Sequence, residues 1–155
     1  MSEPENTLIM TLETGPVTSR LRPDLAPGHV QRITELAREG FYDGLMFHRV
    51  IRGFMAQGGD PTGTGSGNSN KPNLKAEFSD AAHRRGVCSM ARTSNPDSAN
   101  SQFFICFDDA PHLDGQYTVW GEVVEGMEHV DALPRGEPPA KPGRIVSMRV
   151  AAPTA

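Results

Sequence analysis

Leu8, Met10 and Leu12 alternate with Thr7, Ile9 and Thr11. A period of two predicts a strand, with Ile9 making its second face partly apolar. Glu13-Thr14-Gly15-Pro16 is a turn signal, and Val17, Ser19 and Leu21 then resume the alternation, so residues 7–22 are expected to form a hairpin. The period changes next. Val30, Ile33, Leu36 and Ala37 share one helical face, with Gln31, Arg32, Glu35 and Arg38 around them. Pro27 suits a first helical turn and Gly40 a C-terminal stop, which predicts a helix over residues 27–39. Strand pattern returns from Leu45 through Phe47, Val50 and Ile51 to Gly53-Phe54-Met55-Ala56-Gln57. Residues 58–73, rich in Gly, Ser, Asn and Pro, are expected to be a surface loop. Residues 87–90, 102–107 and 117–123 read as strands, the first two divided by a polar loop at 93–100. Met127, Val130 and Leu133 mark a short second helix after Gly126, and residues 145–150 a last strand with both faces occupied. No internal repeat or linker divides the chain. About eight strands and two helices predict a single, mainly β domain over residues 1–155, a barrel or sandwich with helical plugs.

Composition agrees and removes some functions. In 155 residues, 16 glycines and 13 prolines leave little room for long helices. Fifteen Lys and Arg against 19 Asp and Glu give a formal charge of −4, which argues against nucleic acid or an anionic membrane as a general partner. No apolar run approaches the ~20 residues of a membrane span. Met1-Ser2-Glu3-Pro4-Glu5-Asn6 is acidic and lacks the basic and then apolar order of a secretory leader. Cys88 and Cys106 match neither a zinc pattern nor a Cys-x-x-Cys pair; they read as two buried free thiols on strands, although one bridge between them is open in principle. A cytoplasmic chain is the simplest expectation. Nothing in the apolar content suggests a partner face, so a monomer is expected.

Several familiar chemistries lack their residues. Gly63-Thr64-Gly65-Ser66-Gly67 invites a phosphate-loop reading but has no following Lys-Ser or Lys-Thr and opens no helix. His29, His48, His83, His112 and His129 form no i, i+4 pair and have no Cys at ligand spacing, so no metal is expected. No Ser occupies a Gly-x-Ser-x-Gly elbow. Asp108-Asp109, beside a proline, reads as a solvated turn.

One cation stands out: Arg49, inside the apolar run Phe47-His48-Arg49-Val50-Ile51. The plain reading turns it to solvent or pairs it with a carboxylate. Its company favours a site. Phe54, Met55, Phe104 and Leu113 offer apolar surface, and Gln57 and Gln102 offer donors and acceptors, as in a shallow groove for an apolar ring and a peptide backbone.

The segment Phe47-His48-Arg49-Val50-Ile51-Arg52-Gly53-Phe54-Met55-Ala56-Gln57-Gly58-Gly59-Asp60 closely resembles the signature segment of cyclophilins, the cyclosporin-binding class of peptidyl-prolyl cis–trans isomerases. Ser89-Met90-Ala91-Arg92, Ser101-Gln102-Phe103-Phe104-Ile105, Leu113-Asp114-Gly115 and Val119-Trp120-Gly121-Glu122-Val123 follow in the family's order, so the similarity runs from about residue 7 to 150. The resemblance implies a closed eight-stranded antiparallel β-barrel capped by two α-helices. It makes Arg49 the catalytic residue. Phe54, Met55, Phe104 and Leu113 would line the proline pocket, and Gln57 and Gln102 would hold the peptide. The backbone at Ala91 and Arg92 would pair with it, and His112 and Tyr117 would close the rim. His48 also matches a family position and is counted with the substrate site, as packing or orienting Arg49. No cofactor is implied. The implied partners are proline-containing peptides and unfolded or flexible protein segments, which points to a role in protein folding. A peptide clamp or holdase without relevant turnover would use the same pocket.

Departures from the best-known eukaryotic members refine this. His112 replaces a tryptophan associated with tight cyclosporin binding, Tyr117 a histidine and Arg92 an asparagine. Loop 93–100 is one residue longer. Met90-Ala91-Arg92-Thr93 with Ser98-Ala99 looks like the bacterial branch. Weak cyclosporin binding is expected, because an imidazole offers less flat apolar area than an indole. A neighbouring pocket is also expected, with Ala76, Glu77 and residues near Thr93 as its gate.

Overall fold

A computed structural model of the chain describes residues 7–63, 67–136 and 139–150. The acidic segment 1–6 and positions 64–66 of the glycine-rich loop lie outside the described residues. Eight strands run in chain order: β1 (Thr7–Leu12), β2 (Gly15–Leu21), β3 (Arg49–Ile51), β4 (Met55–Gly58), β5 (Val87–Met90), β6 (Phe103–Cys106), β7 (Val119–Glu125) and β8 (Ile145–Val150). Helix α1 (Pro27–Arg38) follows β2 and the short α2 (Met127–Asp131) follows β7.

All pairings are antiparallel, in the order β3-β4-β6-β5-β7-β2-β1-β8. Register shifts between Thr11 and Leu12, Thr18 and Ser19, and Cys88 and Ser89 increase local twist and curl the sheet. The result is a curled half-barrel, which corrects the expected closed barrel. The physical reason lies at the edge of β3, where Val50 exchanges both backbone hydrogen bonds with Gly136, at 2.8 and 2.9 Å. That edge is therefore taken, and β3 forms no ladder with β8. The two ends of the sheet meet ahead of β3, where Met46 bridges Arg144 and where Ile145, the first residue of β8, donates to Leu45 O and accepts from Gly44 N.

The predicted helix forms with its apolar stripe inward and packs on β8 and β7. It stops as expected. Gly40 takes a φ of +73°, and the N–H groups of Gly40 and Phe41 reach back to Ala37 O and Leu36 O. This left-handed C-terminal cap suits a residue without Cβ. Arg32, expected on the polar side, is buried, and its guanidinium donates to Pro72 O at 2.6 Å. Under α1, Phe103 is the hub of edge-on rings, with Tyr42, Phe47 and Trp120 at 5.6, 6.1 and 6.0 Å.

Both cysteines are free and buried. Cys88 faces the main core and Cys106 a second cluster across the sheet, so the bridge left open by the sequence does not form. Burial pushes both thiols up to about 12, which leaves them protonated and unreactive. Among the described residues, no helix is long and apolar enough to cross a membrane.

Candidate active site

Strand alternation builds the site. Val50, Ala56, Cys88, Met90, Phe103 and Ile105 enter the main core. Residues of opposite parity, Met55, Phe104 and Cys106, form a second buried cluster with Ala110 and Leu113 on the other face. Arg49 shares that parity. Register sets Arg49 opposite Gln57, Gln57 opposite Phe104, and Phe104 opposite Ser89, one row across four strands. A cation, an amide and an aromatic ring thus meet on a rigid face.

They open onto a cavity of about 120 Å³. Phe54, Met55, Phe104 and Leu113 give it apolar lining, Arg49 and Gln57 its polar side, and Ala91, Arg92 and Tyr117 complete it. All nine are residues singled out from the sequence. A second cavity of about 280 Å³ adjoins it, shares Gln57, Ala91 and Arg92, and adds Asn68, Thr93, Ser98 and Gln102.

Hydrogen bonds orient the polar side. Gln102 Nε2 donates to Gly67 O at 2.7 Å, and Gln57 Nε2 donates to Gln102 Oε1 at 2.9 Å. Gln57 Oε1 is then left as an acceptor, with Arg49 Nη1 3.4 Å away. Each amide is used head to tail, which removes the choice between its two flipped states. Close approach at Gly59 permits this arrangement: its φ is +96°, and a Cβ there would lie 2.4 Å from Ser101 O. On the other side, Arg92 donates from Nε and Nη2 to Gln116 O (3.0 and 2.6 Å) and from Nη1 to Thr93 O (2.8 Å). Its guanidinium lies 4.6 Å over the Tyr117 ring, which meets Phe104 edge-on at 5.6 Å.

Behind Phe104 stands a group the sequence reading missed. The His83 ring stacks on Phe104 at 6.1 Å and 18°. Its Nδ1 lies 3.1 Å from Asp114 Oδ1, and its Nε2 lies 3.0 Å from Ser89 Oγ, which donates to Thr118 O. Burial lowers the His83 pKa while Asp114 works the other way. The hydroxyl at Ser89, polar within an apolar strand, was a legible signal for this support; nothing in the sequence pointed from His83 to Phe104.

Three expected positions fall elsewhere. His48 lines neither cavity. Its parity matches Val50, so it turns inward and is buried, with no hydrogen bond at Nδ1. Burial lowers its pKa against the pull of Asp60. His112 stands beside the first cavity, its ring 5.5 Å from that of Phe54, and is not part of the lining. Gln102 lines the second cavity and reaches the first through Gln57. Thr93 lines the second cavity, but Ala76 and Glu77 do not. The Glu77 carboxylate is engaged by Gly28 N, His29 N and the His29 ring at the start of α1. Among the described residues, no three His, Cys, Asp or Glu side chains converge as metal ligands.

The family model described as cyclophilin type peptidyl-prolyl cis-trans isomerase/CLD matches residues 7–150. A probable peptidyl-prolyl cis-trans isomerase of Brucella suis is 54% identical over 146 residues, which are 87% of this chain and 74% of that protein. A peptidyl-prolyl cis-trans isomerase of Helicobacter pylori is 46% identical over 115 residues, 72% of this chain and 70% of its own. Among solved structures, cyclophilin AquaCyp293 from Hirschia baltica superposes with a TM-score of 0.91 at 31% identity, over 99% of this chain and 77% of that one. A Cryptosporidium parvum cyclophilin-type isomerase, crystallised in the presence of the dipeptide Ala-Pro, gives 0.87 at 28% identity, over 94% and 99%.

Proposed function

The chain belongs to the cyclophilin-type peptidyl-prolyl cis–trans isomerase family and is a peptidyl-prolyl isomerase, and we propose that Arg49 is its catalytic residue. Phe54, Met55, Phe104 and Leu113 hold the substrate proline ring. Gln57 and Gln102 hold the peptide, the backbone at Ala91 and Arg92 pairs with it, and Tyr117 and His112 close the rim. The observation that carries this reading is the convergence of Arg49, Gln57 and the four apolar side chains on one cavity.

The chemistry follows from the bond. An X–Pro imide resists rotation because the nitrogen lone pair is delocalised into the carbonyl, with a barrier of ~18–20 kcal/mol. At the twisted transition state that pair is localised on nitrogen. A donor aimed at the nitrogen then binds the transition state better than the planar ground state, where nitrogen is a poor acceptor. Arg suits the task because it stays charged and presents a rigid fork of N–H groups. No bond breaks and no net proton moves. The apolar lining grips the ring while the acyl side turns, and low local polarity strengthens the contact. A 10⁴-fold acceleration requires about 5.5 kcal/mol.

Substrates on this reading are flexible or unfolded segments that expose X–Pro bonds. The Cryptosporidium structure obtained with Ala-Pro supports this class. We assign the chain to the cytoplasm as a single-domain monomer that assists folding, with weak affinity for cyclosporin. A proline-isomerisation assay tests the catalytic assignment: Arg49→Ala and Arg49→Lys keep the fold and lose about 10²-fold or more in kcat/KM. Near-normal turnover by either variant removes Arg49 from the mechanism.

A further inference from the structure

We propose that Arg92 makes this enzyme select X–Pro segments that carry an aspartate or glutamate beside the proline, with the acidic side chain seated in the second cavity. The proposal rests on reading the first cavity as the proline site. Arg92 lines both cavities, and with Gln57 and Ala91 it forms the boundary they share. A peptide whose proline fills the first cavity passes this guanidinium on its way into the second.

The cation is fixed but not neutralised. Three of its N–H groups donate to the carbonyls of Gln116 and Thr93, and its plane rests on Tyr117. A guanidinium has five N–H groups, so two remain for a ligand. Carbonyl dipoles and a ring hold the charge without cancelling it. Among the described residues no carboxylate lines either cavity, and none forms an ion pair with Arg92. The carboxylates of the bordering loops are engaged by backbone: Asp60 accepts from Thr62 N and Gly67 N, and Asp97 from Ala76 N. Asn68, Thr93, Ser98 and Gln102 give the second cavity a neutral polar lining; the Thr93 and Ser98 hydroxyls are spent on each other and on Asn95 O, and the Asn68 amide nitrogen is the donor offered to an outer oxygen of a carboxylate. The whole chain carries −4, so this groove is a local reversal of sign inside a cleft, where field lines concentrate. An incoming carboxylate meets a cation whose side chain is already ordered; an incoming ammonium is repelled.

The test places Glu, Gln or Lys in turn at each of the two residues before the proline and the one after it, and measures kcat/KM for isomerisation at low ionic strength. At one of these positions Glu exceeds Lys by about three- to tenfold, the range of a partly exposed ion pair together with the opposing repulsion. The preference shrinks toward one in about 0.5 M salt, where screening is short-ranged. R92K keeps it, R92Q removes it and R92E inverts it. Because the readout is a ratio between peptides, a general loss of rate in a variant does not affect it, and the salt titration needs no variant. A ratio near one at every position in active wild-type enzyme, or a ratio unchanged in R92E, overturns the proposal. Failure of folded wild-type protein to turn over any of the peptides would instead overturn the reading of the first cavity.

Discussion

Arg49 lies at the end of an ordered line of amides. Gly67 O fixes Gln102, Gln102 fixes Gln57, and Gln57 presents its oxygen toward the guanidinium. Such a line sets an amide oxygen beside the guanidinium and orders the polar side of the cavity. At the rim, the His112 ring tilts at 37° to Phe54. An indole there would add flat apolar area over the same ring, so His112→Trp is expected to tighten cyclosporin binding by about tenfold, or ~1.4 kcal/mol, in a fluorescence or calorimetric titration. Unchanged affinity would exclude position 112 as the cause of the weak binding proposed above. At this scale much of the site could be read from the chain, because the residues lie in short segments whose spacing carries the pattern. His48, expected to pack or orient Arg49, turns inward and lines neither cavity, because parity within the strand, and not adjacency to Arg49, decides which face a side chain takes. Asn68 and Ser98 were missed because loop polarity does not reveal which hydroxyl or amide faces a cavity.

Among the elements, α1 depends on a partner far along the chain. Its N-cap, Ala26, has no side-chain acceptor to offer. Glu77 supplies one, accepting from Gly28 N at 3.2 Å and His29 N at 2.9 Å. The His29 ring donates from Nδ1 to the same carboxylate, which leaves the buried Nε2 as a bare acceptor, a smaller penalty than an orphaned N–H. Burial opposes the charged form of Glu77, but the bonds from His29 and the two backbone N–H groups outweigh it and hold its pKa below the usual range. Glu77→Ala is expected to cost about 1–2 kcal/mol, measured as a lower urea midpoint with unchanged slope. A midpoint equal to wild type would remove the cap from the stability of α1. Pro27 and the apolar stripe made this helix legible; its cap lies 48 residues away in sequence and left no local trace. The same limit explains the barrel. Alternation gave eight strands, but Gly136 occupying the edge of β3 is a long-range pairing that periodicity does not encode.

Across the whole molecule, buried titratable groups predict sensitivity to acid. Burial lowers the pKa values of His29, His48 and His83 below the usual 6.5. As pH falls through 6.5 the unfolded chain therefore takes up protons that the folded chain does not, and stability decreases. Glu77 is depressed from 4.5, so its contribution, complete above that value, is lost as pH falls further. Both act in the same direction. The urea midpoint should fall steadily from about pH 7.5 to about pH 5 and more steeply below about pH 4.5; a flat or rising midpoint over the first interval would show that the buried imidazoles do not control it.

The row from Arg49 to Ser89 places the proposed catalysis on one rigid face, backed by a half-barrel core, so binding and turnover should be separable. Exchange spectroscopy on a proline peptide bound to wild type and to Arg49→Lys measures both in one sample. Fast interconversion of bound cis and trans forms is expected with wild type. With the lysine variant, affinity should be similar and bound-state exchange slower by about 10²-fold. Undiminished exchange in the variant, or slow exchange in wild type, would contradict a guanidinium acting on the imide nitrogen and would leave a peptide clamp in its place.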